Sequence, residues 1–303
     1  NRRFAAAGER PGWKGLWIRS ESGLAARKYY EVQFEYAASG SGFGAVMTDA
    51  ILSTNGLIHK FGAFRALDDV SISIKKGSLT GLIGPNGAGK STFFNAITGN
   101  LTPMSGTVTM DGKDITGQSP ERLFVGGMGR TFQIPRPFAR MTVLENVMLA
   151  PVAQIGETLL GPFLSRKAIQ AQERAIHARA MEILEFMTLT PLADHPAGKI
   201  SGGQMKLLEL ARVLMGDPKV ILLDEPAAGV NPTLTGTLIE KIEALNAQSK
   251  TFVIIEHDMD FIMRHCNPII ALAEGRVVFE GNAEEAQQSP ILRDAYLGAT
   301  ANA

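Results

Sequence analysis

Short, continuously apolar runs bounded by turn residues recur along this chain and predict buried strands. Val220–Leu223 is continuously apolar, and Thr80–Ile83 and Thr251–Ile255 are apolar after an initial threonine. Apolar side chains on both faces are typical of strands in a parallel sheet that is covered on both sides. Ala66–Ile74 instead alternates apolar with polar positions and is followed by the turn Lys75–Gly77, which predicts an antiparallel strand near a sheet edge.

Helical spacing of apolar residues predicts several helices between and after these strands. Lys90–Thr98 reads as a helix that Gly99 ends, and Ser201–Leu214 as another. A long helix is marked on one face by Ile176, Ala180, Ile183, Leu184 and Met187. Hairpins are expected at Asp111-Gly112 and Glu274-Gly275. The pattern predicts an α/β fold with a mostly parallel sheet, an antiparallel β subdomain and a helical subdomain inserted at about residues 134–215.

Composition narrows the function classes. The 303 residues are 45% apolar with a formal net charge of zero, which argues against a nucleic-acid-binding surface. No uninterrupted apolar run is long enough to predict a membrane-spanning helix. The single cysteine, Cys266, has no intramolecular disulfide partner and is expected to be a small buried residue.

The chain divides at its first methionine, Met47. Residues 1–46 hold both tryptophans and an excess of basic residues, and we interpret them as a flexible or appended leader. A genuine interaction arm is the alternative. Residues 47–300 are expected to form the catalytic domain.

Residues 84–92 fit the pattern of a phosphate-binding loop between a strand and a helix. The nine residues are Gly84, Pro85, Asn86, Gly87, Ala88, Gly89, Lys90, Ser91 and Thr92. Without Cβ atoms the glycines let successive backbone N–H groups turn inward onto phosphate oxygens, and Lys90 adds a positive charge. The hydroxyl of Ser91 is expected to bind the Mg²⁺ that accompanies ATP. A purely structural turn would not need the lysine and the hydroxyl at these positions.

Polar residues follow three other predicted strands. Asp224 and Glu225 come directly after one apolar run, His257 comes after another, and Gln133 ends the predicted strand Gly129–Phe132. Ligands of open α/β sheets bind beyond the carboxyl ends of the strands, so these side chains are expected beside the phosphates. We assign Asp224 to binding Mg²⁺ and Glu225 to general-base activation of the attacking water. The Gln133 amide is expected to reach both the Mg²⁺ and this water. The alternatives are that the two acids cap the next helix and that His257 is structural.

A second helix N-terminus suited to anions begins at Ser201, Gly202, Gly203 and Gln204, hereafter the signature segment. No second phosphate loop accompanies it. The segment therefore either caps its own helix or completes the site of another molecule.

Together these motifs resemble those of ATP-binding cassette (ABC) ATPases, the motor subunits of membrane transporters, over residues 50–298. The resemblance implies that two subunits sandwich two ATP molecules head to tail, each ATP lying between one subunit's phosphate loop and the signature segment of the other. The second subunit is either another copy of this chain or a related ABC ATPase, which gives a homodimer or a heterodimer. It implies that Phe61 stacks on adenine and that His257 is the switch histidine. A core position is the alternative for Phe61.

Two positions depart from the pattern of this family. Ile200 precedes the signature segment where leucine is more usual, and Asn231 stands where many relatives have aspartate. Asparagine keeps a hydrogen-bonding side chain but removes the charge, which is expected to alter communication across a dimer.

Further segments resemble the subunits of branched-chain amino acid importers. They are Ala227–Pro232, Gly129–Gln133 with Met141–Val147, and Arg293–Gly298. The resemblance implies a peripheral subunit on the cytoplasmic face of the membrane, with permease subunits as partners and a periplasmic binding protein acting indirectly. It also implies that the loop Gln133–Phe138 and the helical subdomain form a groove for a short permease helix. The alternative is that the apolar residues of this loop only anchor it to the core.

Other functions share these motifs and stay open on sequence grounds. Importers of urea, short amides or aromatic acids and lipopolysaccharide-type exporters are the nearest rivals within the transporters. A soluble ABC ATPase without a membrane partner would carry the same catalytic residues. A nucleotide-binding module without turnover would be expected to lack Glu225 or His257, and both are present.

Overall fold

The computed structural model describes residues 49–151 and 166–293, which belong to one unit spanning residues 47–303. The predicted leader lies outside the described residues, and the domain boundaries stay predictions. The strands of the described part are β1 (Ala50–Phe61), β2 (Phe64–Lys75), β3 (Leu79–Ile83), β4 (Ser105–Met110), β5 (Lys113–Asp114), β6 (Met128–Arg130), β7 (Val220–Asp224), β8 (Thr251–Ile255), β9 (Ile269–Ala273) and β10 (Arg276–Gly281). Its α-helices are α1 (Lys90–Ile97), α2 (Pro120–Val125), α3 (Val143–Met148), α4 (Arg166–Phe186), α5 (Gly202–Met215), α6 (Pro232–Ala247), α7 (Met259–His265) and α8 (Ala283–Gln288).

A central sheet has six strands in the order β10-β9-β3-β8-β7-β6. All neighbours in it are parallel except β10, which pairs antiparallel with β9. Every residue of β3, β7 and β8 is buried, which explains why their sequences are mostly apolar. Because these strands are parallel neighbours, their carboxyl ends meet at one edge of the sheet, where the phosphate loop, Glu225 and His257 follow.

A second, fully antiparallel sheet has the order β2-β1-β4-β5. Its strand β2 alternates buried and exposed residues towards its end, with Val70, Ile72 and Ile74 inside, as predicted. The turns at Asp111-Gly112 and Glu274-Gly275 join β4 to β5 and β9 to β10, which confirms both predicted hairpins. The observed architecture confirms the predicted fold class.

Helices α3, α4 and α5 lie between β6 and β7 in the chain. The predicted face of α4 is buried at Ala180, Ile183 and Leu184. These side chains belong to the same apolar cluster as Ile221 of β7 and Phe252 of β8, and α4 itself packs against α3 and α5.

One predicted strand is shorter than expected. We predicted Gly129–Phe132 as a strand leading into Gln133, but β6 ends at Arg130. The Phe132 amide donates a hydrogen bond to Glu209 Oε1 at 2.9 Å, so a side chain replaces the neighbouring strand as its partner. Gln133 therefore lies in a loop and not at a strand end.

Candidate active site

The phosphate loop joins β3 to α1, and its surroundings require two of its glycines. Gly84 has φ 149°, and a Cβ there would lie 2.1 Å from the carbonyl oxygen of Leu272. Gly89 has φ 103°, and a Cβ there would lie 2.4 Å from the carbonyl oxygen of Ala66. Helix α1 begins directly after Gly89, so its positive end meets the loop, as an anion site needs.

The Lys90 side chain is buried inside this loop. Its Nζ donates hydrogen bonds to the carbonyl oxygens of Gly84 at 2.6 Å and Pro85 at 3.1 Å. Burial lowers the pKa of Lys90, whereas the carboxylates of Glu225 and Asp224 act to raise it. The loop therefore holds a cation close to two acidic groups.

A cavity of about 240 Å³ opens beside the loop. Its walls include residues 86–92, Glu225 and His257, together with the aromatic rings of Phe61 and Phe64. Phe61 is 55% exposed, so it is not the core residue that we held as an alternative. The His59 ring packs edge-on against Phe61 with 4.8 Å between ring centres. An aromatic face is thus available for a flat ring next to the phosphate loop.

Glu225 is held by both residues predicted to act with it. Its Oε1 lies 2.7 Å from Nε2 of His257, and its Oε2 accepts a hydrogen bond from Nε2 of Gln133 at 2.7 Å. Its backbone has φ 49°, which is uncommon for a residue with a Cβ. The carboxylate is therefore oriented at the cavity wall, as a general base requires.

Asp224 ends β7 and forms a buried ion pair with Arg130. The Arg130 Nη2 lies 3.2 Å from Oδ2 of Asp224, and its Nη1 donates to Asn95 Oδ1 at 2.7 Å. The guanidinium carbon also lies 5.7 Å from the ring centres of Phe94 and Phe132. Arg130 thus ties α1 and the loop after β6 to the end of β7.

Glu256 connects the loop after Glu225 to His257. It is buried at the end of β8, where its Oε1 accepts a hydrogen bond from the Ala227 amide at 2.8 Å and its Oε2 from the His257 amide at 3.2 Å. Burial raises the pKa of Glu256, and the two amide hydrogen bonds oppose that rise. The carboxylate therefore fixes the main chain on both sides of the catalytic pair.

Helix α5 directs two charged side chains, Lys206 and Glu209, into the interior. The Lys206 Nζ donates to the carbonyl oxygens of Gln133 at 2.6 Å and Glu225 at 3.1 Å. Burial lowers the pKa of Lys206 and raises the pKa of Glu209. Both side chains reach the loop that carries Gln133.

The signature segment stands at the N-terminus of α5. Ser201 caps the helix in a capping box with Gln204, whose Oε1 accepts a hydrogen bond from the Ser201 amide at 2.9 Å. Ser201 and Gly202 are exposed, and the signature segment is not part of the cavity wall. Ser201 therefore caps α5, and the N-terminus of this helix stays exposed.

Asn231 caps α6, with its Oδ1 accepting a hydrogen bond from the Leu234 amide at 2.9 Å. The same helix packs closely on the signature segment, because a Cβ on Gly203 would lie 2.5 Å from Leu234 Cδ1. The residue that departs from the family pattern therefore begins a helix in contact with α5.

The loop after Gln133 is exposed, as expected. Ile134 is 69% and Phe138 is 54% exposed, and the Arg212 guanidinium lies 5.5 Å from the centre of the Phe138 ring. The side chains of this loop are therefore not core anchors.

Cys266 is buried, as expected, and burial raises the pKa of its thiol to about 12.

Sequence reasoning missed four buried charged residues around the site: Arg130, Lys206, Glu209 and Glu256. A signal for them was present, since Lys206 and Glu209 sit among leucines in a helix whose middle is buried on all sides. A buried charge is costly unless it is paired or hydrogen-bonded. A charged residue at such a position therefore indicates a polar network.

Comparison with known protein families and sequences finds clear relatives. The family model described as ABC transporter matches residues 67–228. A probable branched-chain amino acid transport ATP-binding protein LivG of Methanocaldococcus jannaschii is 42% identical over 83% of this chain and 98% of its own length. The high-affinity branched-chain amino acid transport ATP-binding protein LivG of Escherichia coli is 35% identical over 83% of this chain and 99% of its own.

Solved structures are similar as well. One is the ADP conformation of an ATP-binding cassette of an ABC transporter, with a TM-score of 0.70 and 41% identity over 82% of this chain and 99% of that one. Another is a dimeric cassette in a post-hydrolysis state bound to ADP and phosphate. It has a TM-score of 0.63 and 28% identity over 77% of this chain and 98% of that one.

Proposed function

This chain belongs to the ABC transporter family, and from that membership we propose that it is the ATP-hydrolysing subunit of an importer for branched-chain or other hydrophobic amino acids. Membership makes it an ABC ATPase. The substrate class is inferred from relatives named for branched-chain amino acid transport, which match over nearly their full length.

The observation that carries the enzymatic role is the fixed carboxylate of Glu225 at the wall of the phosphate-loop cavity. The β- and γ-phosphates of ATP bind to the backbone N–H groups of the loop and to Lys90. Glu225 accepts a proton from the water that attacks the γ-phosphorus, while Gln133 and His257 hold the carboxylate in place. The bond to the bridging oxygen breaks, and ADP and phosphate leave.

The donor set also fits Mg²⁺. The Ser91 hydroxyl, the Asp224 carboxylate and the Gln133 amide oxygen are hard oxygen ligands of the type that Mg²⁺ prefers. The Gln133 amide nitrogen already faces Glu225, so its oxygen is the atom that it offers to a metal. Bound with ATP, Mg²⁺ would neutralise charge on the phosphates.

Two copies of this chain bind head to tail around two ATP molecules in our proposal. The exposed signature segment at the start of α5 and its absence from the wall of its own cavity support this arrangement. A dimeric cassette among the similar structures supports it further. The signature segment of one copy then faces the γ-phosphate held by the other copy.

The permease contact is proposed at the loop Gln133–Phe138. Exposed apolar side chains at Phe132, Ile134 and Phe138 support it, because such a patch suits an amphipathic helix of a partner. Within residues 49–151 and 166–293 no helix has the length and apolarity to cross a membrane. By its family the subunit would act at the cytoplasmic face of the membrane, bound to its permease.

Phosphate release by the purified full chain tests the enzymatic proposal. We expect Glu225→Gln to lower the hydrolysis rate by at least about 100-fold, the range of general-base catalysis, with ATP affinity little changed. Hydrolysis by Glu225→Gln at the parent rate would show that Glu225 is not the base.

Uptake by proteoliposomes tests the substrate class. The chain is assembled with the permease subunits and the binding protein that purify with it, and ATP-driven uptake of labelled leucine is compared with uptake of urea and benzoate. We expect uptake of leucine alone. Uptake of urea or benzoate without leucine would instead favour the rival importers.

A further inference from the structure

A closed ring of hydrogen bonds joins Lys206, Gln133 and Glu225. The Lys206 ammonium donates to the carbonyl oxygens of Gln133 at 2.6 Å and Glu225 at 3.1 Å. A hydrogen bond from Gln133 Nε2 to Glu225 Oε2 at 2.7 Å completes the ring. One buried cation therefore holds the main chain of both residues whose side chains face each other at the cavity.

The charge of Lys206 is not explained by the packing of α5. Its side chain is surrounded by buried positions, where a leucine would avoid the cost of burying an ammonium. Burial lowers the pKa of Lys206, and the carboxylates of Glu209 and Glu256 are the two largest influences that oppose this. Burial of the ammonium is costly, and its two hydrogen bonds to carbonyl oxygens offset that cost.

The backbone of Glu225 needs such support. A residue with a Cβ adopts φ near 49° only where its surroundings impose it. The Glu225 amide donates to the carbonyl oxygen of Ile255 at 2.9 Å, and its carbonyl oxygen accepts from Lys206 at 3.1 Å and from the Ala228 amide at 3.2 Å. Both peptide groups around this Cα are thus fixed. Without Lys206 the carbonyl keeps only the hydrogen bond within its own turn, so its connection to α5 is lost and the carboxylate can turn away from His257.

Helix α5 connects this ring to the signature segment. Lys206 lies five residues after Ser201, about 7.5 Å along the helix axis. Glu209, three residues further on the same face, accepts a hydrogen bond from the Phe132 amide at 2.9 Å. Helix α5 is therefore hydrogen-bonded to the Gln133 loop at two points, through Lys206 and through Glu209.

From this geometry we infer that Lys206 is a positioning residue, which passes movement of α5 to Glu225 and Gln133 of the same chain. This inference rests on the proposed dimer, in which the start of α5 docks on the nucleotide of the other copy. When Ser201 of one copy docks on the nucleotide held by the other copy, Lys206 aligns Glu225 of the copy that carries this Ser201. Nucleotide bound at one site therefore sets the hydrolysis rate at the other site.

Replacement of Lys206 by methionine in the full chain tests the inference. We expect kcat to fall about 100-fold, the effect of a displacement of about 1 Å in an active site, while the ATP dissociation constant changes less than about threefold. Affinity for ADP with aluminium fluoride, a mimic of the transition state, should fall in step with kcat. Lys206→Arg keeps a cation and several donors and should restore most of the rate.

Lys219→Met is the matched control, because Lys219 forms an exposed ion pair with Asp111 on the surface. It should leave kcat, ATP binding and transition-state-mimic binding unchanged. If Lys206→Met does not fold, Lys206→Gln replaces it in the same comparison, since glutamine can donate to one of the two carbonyls.

Two results would overturn the inference. One is a folded Lys206→Met or Lys206→Gln variant whose kcat stays within about twofold of the parent. The other is a variant in which ATP affinity and thermal stability fall together with kcat and Lys206→Arg restores none of the three. That result would indicate a role in stability alone. An inactive parent protein would instead contradict the proposed ATPase function.

Discussion

Breaking the buried ion pair between Arg130 and Asp224 should destabilise the fold strongly. Each of the two side chains is 12% exposed, so Arg130→Met leaves Asp224 as a buried carboxylate without its hydrogen-bonded cation. Removal of one member of such a pair costs about 3–5 kcal/mol. Arg130 also donates to Asn95 and Thr98, each worth about 0.5–1.5 kcal/mol. Methionine recovers some apolar packing, and we expect a net loss of about 4 kcal/mol.

Urea unfolding followed by far-UV circular dichroism measures this loss. For a slope of about 2–3 kcal/mol per molar urea, the midpoint should fall by about 1.5 M. Arg179→Met is the matched control, because the Arg179–Glu182 pair is 54% and 65% exposed and is worth less than about 1 kcal/mol. If both variants had the same midpoint, burial of the Arg130 pair would not be the cause, and the reasoning would be refuted.

Three further predictions concern nucleotide binding, helix capping and pH. Phe61→Ala should raise the ATP dissociation constant about tenfold through lost base stacking, whereas Met104→Ala, exposed elsewhere, should not; equal constants would exclude stacking on Phe61. Asn231→Asp should leave the melting temperature unchanged, because both residues cap helices equally well, and a clear shift would contradict a capping role. Because burial raises the pKa of Glu209 above 4.5, the folded parent binds a proton there that the unfolded chain releases. As pH rises from about 4.5 through the higher pKa of the folded protein, the parent should lose free energy of unfolding relative to Glu209→Gln. A difference in free energy of unfolding between parent and variant that stays constant with pH, measured by urea unfolding, would contradict this.

The parts of the site that could be predicted from sequence follow the strands of the parallel sheet. The sequences of β3, β7 and β8 are recognisable because burial on both faces leaves them mostly apolar, with one polar residue each at Thr80, Asp224 and Thr251. Parallel strands bring their carboxyl ends together, so the phosphate loop, Glu225 and His257 could be placed side by side from chain order alone.

The partners of the buried charged residues Arg130, Lys206 and Glu209 could not be predicted, because these partners are distant in sequence. Lys206 bonds a carbonyl oxygen 73 residues away, and a carbonyl has no side-chain signature. Arg130 and Asp224 are 94 residues apart. The early end of β6 has the same origin, since the Glu209 side chain accepts a hydrogen bond from the Phe132 amide, two residues beyond the strand. Such pairings depend on how α5 packs against the sheet, which periodicity alone does not specify.

Hydrolysis by mixed dimers tests most directly the central claim that each ATP lies between two copies. Lys90→Ala disables the phosphate loop and Ser201→Arg blocks the signature segment, so each variant alone should be inactive. Co-expressed, they should regain hydrolysis, up to about a quarter of the parent rate, because half of the dimers contain one intact composite site. The rate should fall below that limit to the extent that docking of Ser201 aligns the general base of its own chain. The double variant mixed with the parent should gain no intact site in its mixed dimers. If the two single variants together stay inactive while mixed dimers of the double variant and the parent hydrolyse ATP, Ser201 serves the nucleotide of its own chain and the account is contradicted.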